Sequence, residues 1–173
     1  MLSNGRYSVM LTATGSGYSC WRDLAVTRWR EDATSDASGA RIYLRDVRSG
    51  ALWSAGHQPP GAEPDDYHAT FHEDRCEIGR RDGSLTTLME VLVSAEDDAE
   101  VRRVSLTNSG LVAREIDITS YAELALAPQA ADVAHPAFSK LFVETEHLPA
   151  LGALLATRRR REPHADEVWV GHL

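Results

Sequence analysis

The chain has 173 residues, of which 43% are hydrophobic and 25% charged, ordinary usage for one globular domain and far from that of a fibre or a disordered tail. Eighteen basic residues face 26 acidic ones, a formal net charge of −8, which argues against a general binder of nucleic acid or anionic membrane. The longest nearly apolar stretch, residues 148–156, is interrupted by Pro149 and is too short for a membrane-crossing helix.

From the N-terminus onward, apolar residues alternate at period two, the pattern of strands with one buried face. Tyr7, Val9 and Leu11 alternate with Arg6, Ser8, Met10 and Thr12. Ile42 and Leu44 alternate with Tyr43 and Arg45, and Ile116 and Ile118 with Glu115, Asp117 and Thr119. Leu141 and Val143 flank Phe142, and Val168 and Val170 flank Trp169. Turn residues punctuate these runs: Ser49-Gly50, Asp82-Gly83 and Asn108-Ser109-Gly110. All three read as hairpin connections, because Gly and Asn accept the positive φ of tight turns. The rhythm predicts about ten to twelve strands in an all-β, antiparallel sandwich. Residues 31–40, the proline-rich residues 58–66 and residues 128–136 read as irregular connections. Residues 148–155 read either as one short helix or as a turn leading into a strand through Arg161. No linker divides the chain, so residues 1–173 read as a single domain.

Chemistry-bearing residues concentrate near the N-terminus. Gly15-Ser16-Gly17-Tyr18-Ser19 lacks the spacing of a phosphate-binding loop and reads as a tight turn. Tyr18 and Trp21 present rings of the kind that stack on sugars or plug the end of a sandwich. In Thr27-Arg28-Trp29-Arg30 a strand would place Arg28 and Arg30 on one face and Thr27 and Trp29 on the other. Arg158-Arg159-Arg160-Arg161 reads as a solvated edge strand. His68, His72 and Cys76 recur at intervals of four, but on strand-like sequence this is not a metal-ligand face. Cys20 and Cys76 are the only cysteines, enough for one disulfide at most. With no apolar leader at the N-terminus, they point to a reducing, cytoplasmic setting. The carboxylate pairs sit in polar turns, and no nucleophile, metal or acid–base motif is present, so no catalytic residue and no metal ligand is assigned.

Several short stretches in order carry a resemblance: Asn4-Gly5-Arg6-Tyr7-Ser8, Gly15-Ser16-Gly17-Tyr18-Ser19, Thr27-Arg28-Trp29-Arg30, Tyr43-Leu44-Arg45-Asp46 and Ser49-Gly50-Ala51-Leu52-Trp53-Ser54. Val104-Ser105-Leu106-Thr107-Asn108, Ser120-Tyr121-Ala122-Glu123 and His135-Pro136-Ala137-Phe138 follow. Together they resemble the start of the phosphorylase-like module of glycoside hydrolase family 94, formerly glycosyltransferase family 36, nearest to cyclic β-1,2-glucan synthases. The resemblance implies a galactose-mutarotase-like supersandwich, noncatalytic in itself. In the parent enzyme a helical linker and an (α/α)6 barrel would follow, with the general acid and the inorganic phosphate site in the barrel. It implies that this chain is a fragment of a larger multidomain enzyme, cytoplasmic or anchored at the inner membrane through other segments. It implies a β-linked glucan or glucooligosaccharide as partner and the downstream barrel as a second, with no cofactor; an apolar face left bare without that barrel would drive association, so a homodimer is expected as well. Carried over residue by residue, Arg28 is the leading substrate-facing residue, with Tyr18, Trp21, Trp29 and Arg30 beside it. Cys20 departs from the arginine that relatives carry there. A freestanding carbohydrate-binding module is the alternative, and a mutarotase-like epimerase a third reading.

Overall fold

The computed structural model describes residues 1–30, 39–58, 63–160 and 167–173. Most of the first two irregular connections, together with Arg161, lies outside the described residues. The chain builds β1 (Leu2–Ser3), β2 (Tyr7–Leu11), β3 (Gly17–Trp21), β4 (Leu24–Thr27), β5 (Arg41–Asp46), β6 (Leu52–Ser54) and β7 (Asp66–Phe71). Next come β8 (Arg75–Asp82), β9 (Leu85–Val93), β10 (Glu100–Asn108), β11 (Ile116–Tyr121) and β12 (Leu124–Ala127). Two short helices, α1 (Gln129–Ala134) and α2 (Pro136–Lys140), precede β13 (Val143–Leu148), β14 (Ala153–Arg158) and β15 (Trp169–His172).

The strands form four antiparallel sheets among the described residues, ordered β1-β2-β3-β4-β12, β10-β9-β8-β7, β11-β5-β6 and β13-β14-β15. One buried cluster joins them. Leu2, Tyr7, Val9 and Leu11 of the first sheet share it with Ile78, Met89 and Val91 of the second, Ile42, Leu44 and Trp53 of the third, and Ala156 of the fourth. This is the all-β sandwich that the alternation predicts: in β2 and β9 the buried positions recur every second residue, as a half-covered sheet requires.

Polar contacts pin the ends of the layers. Asn4 Nδ2 donates to the Ser94 and Asp97 carbonyls, and Ser19 Oγ donates to Glu100 across the sandwich. At another corner backbone meets backbone. A Cβ built on Gly39, whose φ is +91°, would lie 1.9 Å from the Gly17 carbonyl oxygen. Two buried arginines hold the segment beside it: Arg41 reaches the Gln58 carbonyl at 2.5 Å and Arg80 the Gly56 carbonyl at 3.1 Å.

The structure corrects several expectations. Ser49-Gly50 and Asp82-Gly83 do close hairpins, β5–β6 and β8–β9. Asn108-Ser109-Gly110 does not: β10 pairs with β9 and β11 with β5, so that turn carries the chain from one sheet to another. Asn108 organises it, accepting from the Gly110 amide and donating to the Val112 carbonyl. The connection at 128–136 is helical rather than irregular. Its Ala-rich run favours helix, and Pro136 opens α2 at a position where its missing N–H costs nothing. Residues 149–152 are a turn into β14, the second of the two readings offered. That strand is central rather than an edge. Its Arg158 turns inward to the Ala125 and Ser139 carbonyls, while Arg159 and Arg160 pair with Glu144 and Glu167.

Candidate functional site

Strand β4 ends at Thr27, so Arg28 and Arg30 do not share a strand face. The backbone N–H of Arg28 still donates to the Glu123 carbonyl at 2.7 Å, but its side chain is claimed by carboxylates on another segment. Arg28 Nε and Nη2 donate to the two oxygens of Asp132 at 2.7 and 2.6 Å. Nη2 also reaches the Pro136 carbonyl, at 3.3 Å, and Nη1 donates to Glu123 at 3.2 Å. The Arg28 and Asp132 side chains are 3% and 6% exposed, so the pair is desolvated and held as a two-pronged fork.

Asp132 comes from α1, a helix of six residues. On the other side Arg158 donates to both oxygens of Ser139 on α2 and stacks over the Phe142 ring at 5.4 Å. Two arginines, one just after β4 and one at the end of β14, thus fasten the helical connection over β12. Ala125, Leu126 and Ala127 are buried in succession, as a strand covered on both faces must be. A register irregularity between Leu124 and Ala127, with Leu126 at φ +47°, is the bulge that fits three successive buried residues beside β4.

Above this buried pair lies an open depression of about 310 Å³, lined by Arg28, Tyr121, Ala122, Glu123, Leu124, Lys140, Val143 and Thr145. Glu123 is its hub. Tyr121 Oη donates to one carboxylate oxygen at 3.1 Å, while Arg28 and Lys140 approach the other at 3.2 and 3.5 Å. Partial burial works against the Glu123 charge. The Tyr121 hydroxyl, Lys140 and Arg28 outweigh it and hold the carboxyl below its ordinary range. Asp132 is also held low, first by the Arg28 hydrogen bonds, with Ser139, Arg30 and the Arg28 charge assisting. The Arg28 guanidinium is raised, chiefly by its hydrogen bonds to Asp132.

The other predicted residues scatter. Tyr18 and Trp29 meet at 5.5 Å between ring centroids, tilted by 49°. The Trp29 Nε1 is buried with no hydrogen-bond partner among the described residues. Trp21 stands at a different corner, where its Nε1 donates to Asp98 at 2.6 Å and Arg22 covers its ring at 4.7 Å. It pins the end of β3 to the β9–β10 loop. Arg30 is exposed and contributes charge near Asp132. The spaced triplet separates as well: Cys76 is buried in the core, the His68 ring lies over Gly79 and His72 pairs with Glu77 at 3.4 Å. Cys20 and Cys76 are both free thiols, and burial pushes both up. Tyr121, Glu123, Asp132 and Lys140 were not singled out as site residues from sequence. The available signal was one carboxylate in the small apolar run Ala130-Ala131-Asp132-Val133-Ala134 and one lysine in the whole chain.

Residues 1–173 match the family described as glycosyl hydrolase 94, supersandwich domain. The chain belongs to that family. It is 44% identical over its full length to cyclic beta-(1,2)-glucan synthase NdvB of Rhizobium meliloti, of which it spans 6%. It is 26% identical over 84% of its length to the N,N'-diacetylchitobiose phosphorylase of Vibrio furnissii, spanning 19% of that protein. Solabiose phosphorylase of Paenibacillus borealis is 32% identical over 85 residues, 49% of this chain and 11% of that relative. The supersandwich family agrees with the sheet architecture above. No helix among the described residues is long and apolar enough to cross a membrane.

Proposed function

We propose that this chain is a noncatalytic sandwich domain of a β-glucan-processing enzyme, where it forms one wall of the substrate cleft against a catalytic (α/α)6 barrel. The observation that carries this reading is full-length similarity to a small share of a glucan synthase. The geometry supports it, because the buried Arg28–Asp132 pair is engaged in holding α1 in place. A carboxylate kept ionised by an arginine fork is a poor proton donor near neutral pH. The substrate in this reading is a β-linked glucan or glucooligosaccharide. Tyr18, Trp29 and Arg30 line the approach, the network beneath holds Arg28 in position, and Trp21 stabilises the far corner. Phosphate, where the parent enzyme uses it, binds outside this domain.

The exposed side chains of Val133, Phe138 and Leu141 around the helices support a further contact surface there, for the barrel or a second copy of the chain. Sedimentation as a monomer at every concentration would remove the homodimer from this account. The test of the wall is a chimera. A glucan synthase whose corresponding segment is replaced by this chain retains synthesis of its cyclic product, and deletion of the segment abolishes it. A folded but inactive chimera would overturn the reading.

A further inference from the structure

The depression over Arg28 has a composition that selects a chemical class. Its three charged groups and the buried Asp132 beneath them cancel: Arg28 against Asp132, and Lys140 against Glu123. A net anion or cation gains little from such a site. Donors and acceptors nevertheless crowd one small space. Glu123, the Thr145 hydroxyl and the Tyr121 hydroxyl oxygen can accept, the Tyr121 proton being held by Glu123, while the exposed Lys140 ammonium can donate. Arg28 has five N–H bonds. Four are used, and the fifth, on Nη1, has no partner among the described residues. That guanidinium is 97% covered by protein and still lines the depression. Its position is fixed by Asp132, so it meets a ligand without reorganising.

The remaining walls are apolar. Val143, Leu124 and Ala122 contribute apolar lining. The Tyr121 ring, 46% exposed, is braced edge-on by Tyr43 at 6.5 Å between centroids. Close mixing of paired donors and acceptors with an aromatic rim suits a polyhydroxylated ring, whose hydroxyls each donate and accept and whose C–H face is apolar. The volume, about 310 Å³, lies at the lower end of the roughly 300–1,000 Å³ spanned by small-molecule sites.

We propose that this depression is a carbohydrate subsite for one pyranose unit of a neutral glucan. Lys140, Glu123 and the spare Arg28 N–H meet hydroxyls, and Tyr121 with Val143 meets the C–H face. The inference rests on the glucan reading above and adds a place of contact to it.

Because Lys140 is the only lysine, ¹³C-dimethylation of the amines labels it and the N-terminus alone. Titration with cellobiose and with the β-1,2-linked glucose disaccharide should shift the Lys140 methyl signal saturably in the millimolar range and leave the N-terminal signal still. Tyr121→Ala should weaken that binding about tenfold, as loss of a stacking face and a hydroxyl implies. Glu123→Gln gives a second, smaller loss. A Lys140 signal that stays fixed, a titration unchanged by Tyr121→Ala, or a shift produced by inorganic phosphate but by neither disaccharide would each overturn the subsite. The wall reading fails separately, through the chimera.

Discussion

Arg28 and Asp132 lie 104 residues apart in sequence and are joined by two hydrogen bonds at 2.6 and 2.7 Å, both side chains nine-tenths or more buried. Removing one partner leaves the other charge stranded away from water. Asp132→Ala should therefore lower unfolding stability by about 3 kcal/mol. Arg28→Met with Asp132→Leu should recover most of that loss, because no lone charge remains buried. Urea denaturation of the three proteins checks both statements. An Asp132→Ala protein as stable as the parent would remove the fork from its structural role.

Acid should act on a second anchor. Asp46 accepts from the Ser49 backbone N–H at 2.8 Å, from the Ser49 hydroxyl and from Arg114. The Ser49 amide first, and then Arg114, lower its pKa from the ordinary 3.8 to about 2. A carboxyl with a depressed folded-state pKa contributes stability that is fully present above its unfolded value and is lost as pH falls through the folded one. Its contribution should disappear between about pH 4 and pH 2. Stability measured against pH should show a shallower acid limb in Asp46→Asn than in the parent. Superimposable limbs would contradict the assignment.

How far the sequence alone carries depends on how local the signal is. The strand of Tyr7, Val9 and Leu11 is legible because alternation needs only neighbours. The Ser49-Gly50 hairpin is legible because its turn chemistry is contained in the turn. Asn108-Ser109-Gly110 has the same chemistry and ends a different way, since what distinguishes a hairpin from a passage between sheets is the partner of β11, which lies far away. The helices at 129–140 are too short to show a period. Arg28 stands out in the sequence as a chemistry-bearing residue, but its partner Asp132 does so only weakly, as one carboxylate in a small apolar run whose burial depends on β12 bringing it beside Arg28.

Trp21 separates a stabilising pin from a sugar-binding platform. Its indole N–H is committed to Asp98 and one ring face is covered by Arg22. Trp21→Ala should cost about 2 kcal/mol of stability, with Trp21→Phe losing less. Neither should alter disaccharide affinity measured by calorimetry. Loss of binding in a Trp21→Phe protein of near-parent stability would favour the freestanding binding module.

Close backbone packing at the loop end should be unforgiving. At Gly39 an added methyl meets the Gly17 carbonyl oxygen at 1.9 Å, whereas at Gly50, φ +73°, it meets nothing within 4 Å. Gly50→Ala should cost about 1 kcal/mol, the backbone penalty alone. Gly39→Ala adds a clash and should cost at least about 3 kcal/mol or prevent folding. Thermal melts of the pair decide it, and equal melting temperatures would show that the 17–39 contact is loose.

The central claim is that chemistry belongs to another part of the enzyme and this domain supplies a surface for it. Incubation of the purified chain with cellobiose or β-1,2-linked glucooligosaccharides, with and without inorganic phosphate, tests this directly by ³¹P and ¹H spectra recorded over time. The account predicts unchanged phosphate and intact glycosidic bonds in every sample. A sugar phosphate or free reducing sugar that accumulates in proportion to protein would contradict it.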